Sequence, residues 1–321
     1  MSRWQAFLFA TSWILGCGGA PKQEPATPKA PQAAAPAADR PVGEDDLRLE
    51  LLDPGAEPRA PLRYKFHVGQ REKMIMDMQM DMTMNPPGQS NKVSIAMPTM
   101  EFVSTLEPKS VTSDGDLDYT FVTEKADLLD DRPLRADVKN KVASELKLII
   151  GLKGEGVVTA RGLTKKAEYE IPPGISPQVA QTIENMRQSL RQLATPFPLE
   201  PVGIGAKWKT TSTVKSKIFS FVQTANFSLV SLSGNHATIQ VQIDQQAPPQ
   251  AVKMDGVPAD VKTTLDSYQG KGAARPVLDL DHIIPTAESE VEVHARFKAE
   301  QGTDSATFGN DLKLKLKIRA K

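Results

Sequence analysis

The sequence predicts an α+β fold in which antiparallel β dominates, arranged as two related β-meander halves joined by an amphipathic helix. Three observations predict it. Apolar and polar residues alternate with period two through much of the chain after Leu62, the pattern of strands with one buried and one solvated face. Four short landmarks recur in unbroken order further along the chain. One stretch between the two sets carries an apolar stripe at helical spacing instead.

The alternating runs include Met74 to Met84, Tyr119 to Val122, Val157 to Arg161, Phe219 to Leu232, Ala237 to Ile243, Glu290 to Phe297 and Phe308 to Ile318. Asp114-Gly115 and Gly234-Asn235 interrupt such runs and read as hairpin turns, because glycine tolerates the positive φ that tight turns need. The landmarks begin with Val68-Gly69, which recurs as Val202-Gly203, each followed five residues after the glycine by an apolar residue, Met74 and Trp208. Gly115 recurs as Gly234, Ala136-Asp137-Val138-Lys139 as Ala259-Asp260-Val261-Lys262, and Gly154-Glu155-Gly156 as Gly270-Lys271-Gly272.

The joining helix spans residues 176–196. Ser176 caps it, Pro177 suits the first helical position, and Val179, Ile183, Met186, Leu190 and Leu193 form its stripe until Pro196 stops it. Weaker copies of the stripe lie near 134–146 (Val138, Val142, Leu146) and 259–268 (Val261, Leu265, Tyr268). The chain thus divides into residues 1–16 as an export signal, 17–46 as a modified cysteine and tether, 47–61 as a lead-in strand, 62–175 as the first half, 176–196 as the helix, and 197–321 as the second half.

Composition narrows the function classes. The 321 residues carry 39 basic and 39 acidic side chains, a formal net charge of +0, so the broad basic face that nucleic acid demands is missing and no nucleic-acid partner is expected. Cys17 is the one cysteine, which excludes a disulfide framework, a thiolate zinc cluster and a Cys-x-x-Cys redox pair. Residues 18–46 are rich in Ala and Pro and hold a single branched aliphatic, Val42, too little apolar surface to offset the entropy of ordering.

Arg3 opens the chain with positive charge, Trp4 to Leu15 form a short apolar region, and Ile14-Leu15-Gly16-Cys17 follows. Twelve such residues are too few to span a bilayer of roughly 30 Å, so the segment reads as a cleaved export signal. Ile14-Leu15-Gly16-Cys17 resembles the lipobox of bacterial lipoproteins. That resemblance implies diacylglycerol transfer to the Cys17 sulfur, cleavage before it, and acylation of the new amino terminus, hence a membrane partner through lipid on Cys17. Gly18 stands where the family often carries Asp for inner-membrane retention. The expected address is therefore the cell envelope, at the outer membrane, facing periplasm or surface.

The segment pattern beyond Leu62 resembles the DUF6263 family of uncharacterised lipoproteins. It does so in strands opening with Val-Gly and in a helix running into Pro198-Leu199-Glu200-Pro201-Val202-Gly203 before Trp208. The resemblance, drawn over residues 62–320, implies no activity.

Candidate chemistry is sparse. Met74, Met76, Met78, Met80, Met82 and Met84 line one face of a strand. Thioethers there can be core filler, an apolar ligand groove, or a Cu(I) site; alternate residues stand about 6.6 Å apart, too far for three sulfurs of a straight strand to converge on one ion. Asp114, Asp116 and Asp118 begin like a calcium loop, but Tyr119 replaces the required glycine and Lys125 the bidentate glutamate, leaving a hairpin with solvated carboxylates. Read as a strand, Asp279-Leu280-Asp281-His282 places both carboxylates on one face and the imidazole on the other. His67, His236 and His294 lack metal-ligand spacing, no Gly-x-Ser-x-Gly elbow occurs, and Gly203-Ile204-Gly205 lacks the third glycine of a dinucleotide loop. The expectation is a noncatalytic, lipid-anchored envelope protein without cofactor or metal residues. Its β-sheet groove or half-barrel would hold an apolar ligand; the alternatives are a scaffold with an envelope protein partner and, remotely, a Met-rich Cu(I)-binding protein.

Overall fold

The computed structural model describes residues 47–86, 91–170, 194–215, 218–254, 257–258 and 260–321. The expected signal, Cys17 and the tether lie outside these residues, as does the expected joining helix as far as residue 193. Fifteen strands and one helix occur among the described residues. They are β1 (Arg48–Asp53), β2 (Glu72–Asn85), β3 (Val93–Ala96), β4 (Met100–Val111), β5 (Leu117–Leu128), α1 (Ala136–Lys147), β6 (Lys153–Val158) and β7 (Thr164–Tyr169), followed by β8 (Lys207–Lys215), β9 (Ser220–Ser233), β10 (His236–Ala247), β11 (Gln250–Val252), β12 (Lys262–Ala274), β13 (Val277–Asp279), β14 (Ala287–Gln301) and β15 (Asp304–Ala320).

All strands belong to one antiparallel sheet in the order β1-β8-β9-β10-β12-β14-β15-β2-β4-β5-β6-β7, with β3, β11 and β13 pairing off that path. The α+β expectation is overturned: the described fold is nearly all β. The helix expected near 259–268 is strand β12. Thr263, Thr264 and Tyr268 favour extended backbone, Gly270 and Gly272 disfavour helix, and ladders to β10 and β14 on both sides take up the backbone groups that a helix would have bonded internally. The α1 segment does form, burying Val142 and Leu146.

The two expected halves share one sheet. A ladder from Met74–Ala320 to Asn85–Gly309 zips β2 to β15, so the two runs of strands continue into each other through the sheet. Two of the four landmarks occupy corresponding places in those runs. Gly115 turns β4 into β5 and Gly234 turns β9 into β10, both at positive φ, and the glycine pairs lie on β6 and β12, each hydrogen-bonded to the strand after the turn. The tetrapeptide landmark takes two conformations, however: Ala136 opens α1, whereas Asp260-Val261 leads into β12.

The sheet curls. Leu117, Tyr119 and Phe121 of β5 belong to the same buried cluster as Trp208, Phe227 and Ile239 of β8 to β10, although in the strand order β5 and β10 are six strand spacings, roughly 29 Å flat, apart. Bridging segments close one rim. The Phe197 amide donates to the Arg161 carbonyl at the β6–β7 turn at 2.8 Å, the Trp208 indole Nε1 donates to the Pro196 carbonyl at 2.9 Å, and Tyr64 stacks on Phe197 with centroids 5.1 Å apart. The two ends of the strand order therefore meet through side chains and loops, giving a barrel-like sheet left open in its hydrogen bonding among the described residues.

Candidate functional site

Directly paired residues in an antiparallel sheet share a face, so the registers define the inner surface row by row. One row runs Met78, Leu316, Ser289, Ala274, Val241, Phe227, Trp208 from β2 to β8. The next is Met80, Leu314, Val291, Gly272, Ile243, Ala225, Thr210, and the next Met82, Leu312, Val293, Gly270, Gln245, Gln223, Ser212. None of these residues is charged.

Three buried clusters sit on this face. The largest fills the bridged rim around Tyr64, Phe197, Trp208, Ile283 and Ile284. A second, Met97, Met100, Phe102 and Ala126, packs against Val142 and Leu146 of α1. The third gathers Leu265, Tyr268, Ala295 and Phe297. Met78 and Met80 at the margin of the second cluster, Val293 at the margin of the third, and Leu312, Leu314, Leu316 and Val291 remain only partly buried. About eight strands enclose an interior that side chains can fill; twelve follow one another here, and the middle rows leave apolar surface uncovered by the described residues.

The methionine face is thus divided. Met74 and Met82 are buried, while Met76, Met78 and Met80 are partly buried and pack against the α1 cluster. Paired with Ile318, Leu316, Leu314 and Leu312, the thioethers meet aliphatic carbon across the ladder, with no imidazole or thiolate beside them in the register.

A hydrogen-bonded chain of three polar side chains interrupts the inner face. The Tyr268 hydroxyl donates to Gln245 Oε1 at 2.8 Å, and Gln245 Nε2 donates to Gln223 Oε1 at 2.8 Å. Burial pushes the Tyr268 hydroxyl up to about 12, so it stays protonated and able to donate at neutral pH. The missing side chain at Gly270 makes room for Gln245, since a Cβ there would lie 2.6 Å from its Oε1. The sequence signal beside this chain is Gly270-Lys271-Gly272, which the sequence marks only as a recurring landmark.

The outer face is a lattice of charges. Asp81, Lys313 and Glu292 form one row and Asp77, Lys317 and Glu288 another. Lys313 Nζ lies 2.8 Å from Glu292, Lys317 Nζ 2.7 Å from Glu288, and Arg319 2.6 Å from Asp77. Such exposed pairs contribute about 0–1 kcal/mol each, and they fix which face is solvated more than they stabilise it. A cleft of about 780 Å³ is bordered by Asp77, Glu288 and Lys317 of these rows and by Ala274, Ser289 and Leu316 of the first inner row, with both signs of charge in its walls.

The remaining expected positions resolve differently. Asp116 is buried and paired with Lys165, so it is not a solvated carboxylate as expected of that turn. The strand reading of Asp279 to His282 fails because β13 ends at Asp279 and a turn follows, the His282 amide donating to the Asp279 carbonyl at 3.0 Å. That turn brings the imidazole 4.0 Å from Asp279 and 3.3 Å from Glu72, while His236 lies 3.9 Å from the same Asp279 carboxylate. His67 lies 3.7 Å from Asp281, and His294 lies 2.9 Å from Asp311 on β15. Among the described residues no group of three His, Cys, Asp or Glu is arranged to hold a metal ion, and no helix is long and apolar enough to cross a membrane.

A family model described as a family of unknown function, DUF6263, matches residues 180–271. That is narrower than the span of the resemblance drawn from sequence. The described part of the match runs from the bridging segment through β8 to β12, and so includes Gln223, Gln245 and Tyr268. No curated protein matches the chain.

Proposed function

We propose that this is a noncatalytic lipoprotein of the bacterial envelope, anchored through acyl chains on Cys17, which holds an apolar ligand such as an acyl chain against the inner face of its curled sheet. The observation that carries the reading is the segregation of the two faces. Charges line the outer rows, whereas Met78, Met80, Leu312, Leu314, Leu316, Val291 and Val293 sit partly buried on a neutral surface. Each methylene buried there contributes about 0.8 kcal/mol, so an acyl chain gains affinity simply by leaving water. Two or three acyl chains on the mature amino terminus give lasting attachment where one does not.

The test is native mass spectrometry of the mature protein from a bacterial envelope, with Cys17→Ser fractionated beside it. The expected results are an organic-extractable mass on the folded chain and release of the Cys17→Ser protein from membranes. A bare chain turns the reading to an envelope scaffold, a copper mass turns it to the methionine stripe, and continued membrane retention of the variant refutes the anchor.

A further inference from the structure

We infer that the polar group of the bound amphiphile is an uncharged hydrogen-bond acceptor, an acyl ester such as that of a monoacylglycerol, received by the side-chain amide of Gln223. This rests on the apolar-ligand reading and adds the chemistry of the buried head. The hydrogen bonds have a direction: Tyr268 donates to Gln245, and Gln245 donates to Gln223. Gln223 therefore accepts through Oε1 and keeps its own N–H groups, for which no acceptor occurs among the described residues. A donor left at the end of such a chain on a partly buried face selects a ligand that accepts.

Charge decides between acceptors. The inner rows from Met78 to Met82 across to β8 contain no Lys, Arg or His, the cations of these strands lying on the opposite face. A carboxylate drawn into that surface would lose its hydration with no counter-ion in return, whereas an ester carbonyl gives up far less. Position agrees as well. Gln223 and Gln245 stand in the same row as Val293, Leu312 and Met82, and Gln245 occupies the space above Gly270, between Gln223 and Val293 along that row. A tail lying on Val293 and Leu312 thus brings its head toward Gln223.

The experiment is competition against a fluorescent acyl probe on the full chain, purified in detergent and stripped of lipid, using a monoacylglycerol and the fatty acid of the same chain length. At neutral pH the ester should displace the probe at about tenfold lower concentration. Lowering the pH until the fatty acid is protonated should erase most of that difference, a readout that needs no variant. Gln223→Leu should weaken ester binding toward the level of the fatty acid at neutral pH while leaving the circular dichroism unchanged. Equal displacement by the two ligands at neutral pH overturns the inference and leaves the apolar-ligand reading standing. Failure of the probe itself to bind overturns both.

Discussion

Gly154 and Gly156 carry no side chain because Phe121 and Tyr119 already occupy the space: a Cβ at Gly154 would lie 2.2 Å from the Phe121 ring and 2.3 Å from the Glu168 carbonyl oxygen. The backbone oxygen cannot swing aside as a flexible chain end can. Gly154→Ala should therefore destabilise the fold by about 1–3 kcal/mol or more, seen as a lowered denaturant midpoint, and an unchanged midpoint would mean that the ring does not lie across β6. At Glu72 the conflict is electrostatic. Burial raises its carboxyl above the usual carboxylate range, opposed by nearby His282 and by the amides of Ile284 and Ile283 at 3.3 and 3.5 Å. The folded state then binds more protons than the unfolded one between the two pKa values, so this group's contribution to stability falls as pH rises through that window. The exposed carboxylates with lowered values, such as Glu290 held by Lys313, act in the opposite sense. Unfolding of the wild type and of Glu72→Gln from about pH 4 to about pH 7 separates the two effects. The variant should gain on the wild type as pH rises; parallel curves would show that Glu72 is not held in this environment.

Elements reveal which parts of the fold could be read from sequence and why others could not. Strands with one polar and one apolar face announce themselves, and β2, β9, β10, β14 and β15 lie where alternation placed them. Hairpin turns at Gly115 and Gly234 were legible because positive φ leaves a glycine behind. The β12 segment was not, because Val261, Leu265 and Tyr268 fit a helical stripe as well as a strand broken by a bulge, here between Leu265 and Ser267, and only the partner strands decide. The methionine face was visible as a face, but its division into buried and partly buried sections depends on where α1 and the rim cluster land. The Gln223–Gln245–Tyr268 chain left only the Gly270-Lys271-Gly272 landmark beside it as a signal, since its members come from three strands whose register is set by the ladders.

On the scale of the whole molecule, the strand order decides what can fold alone. Strands β2 to β7 end the path on one side and β8 to β15 continue it on the other, yet the long β2–β15 ladder and the rim cluster join them. Cutting the chain in its middle exposes β2 and β15 as long edges and divides a core in which Tyr64, Phe197 and Trp208 touch in series. The apparent duplication therefore does not imply two units stable by themselves. Residues 47–170 and 194–321 expressed separately should each lack a cooperative unfolding transition, and mixing them should restore one transition with β-sheet circular dichroism. A sharp transition in either fragment alone would show that the curled sheet is assembled from independent halves, and that the open interior between the three clusters is a boundary between domains instead of the inside of one barrel-like sheet.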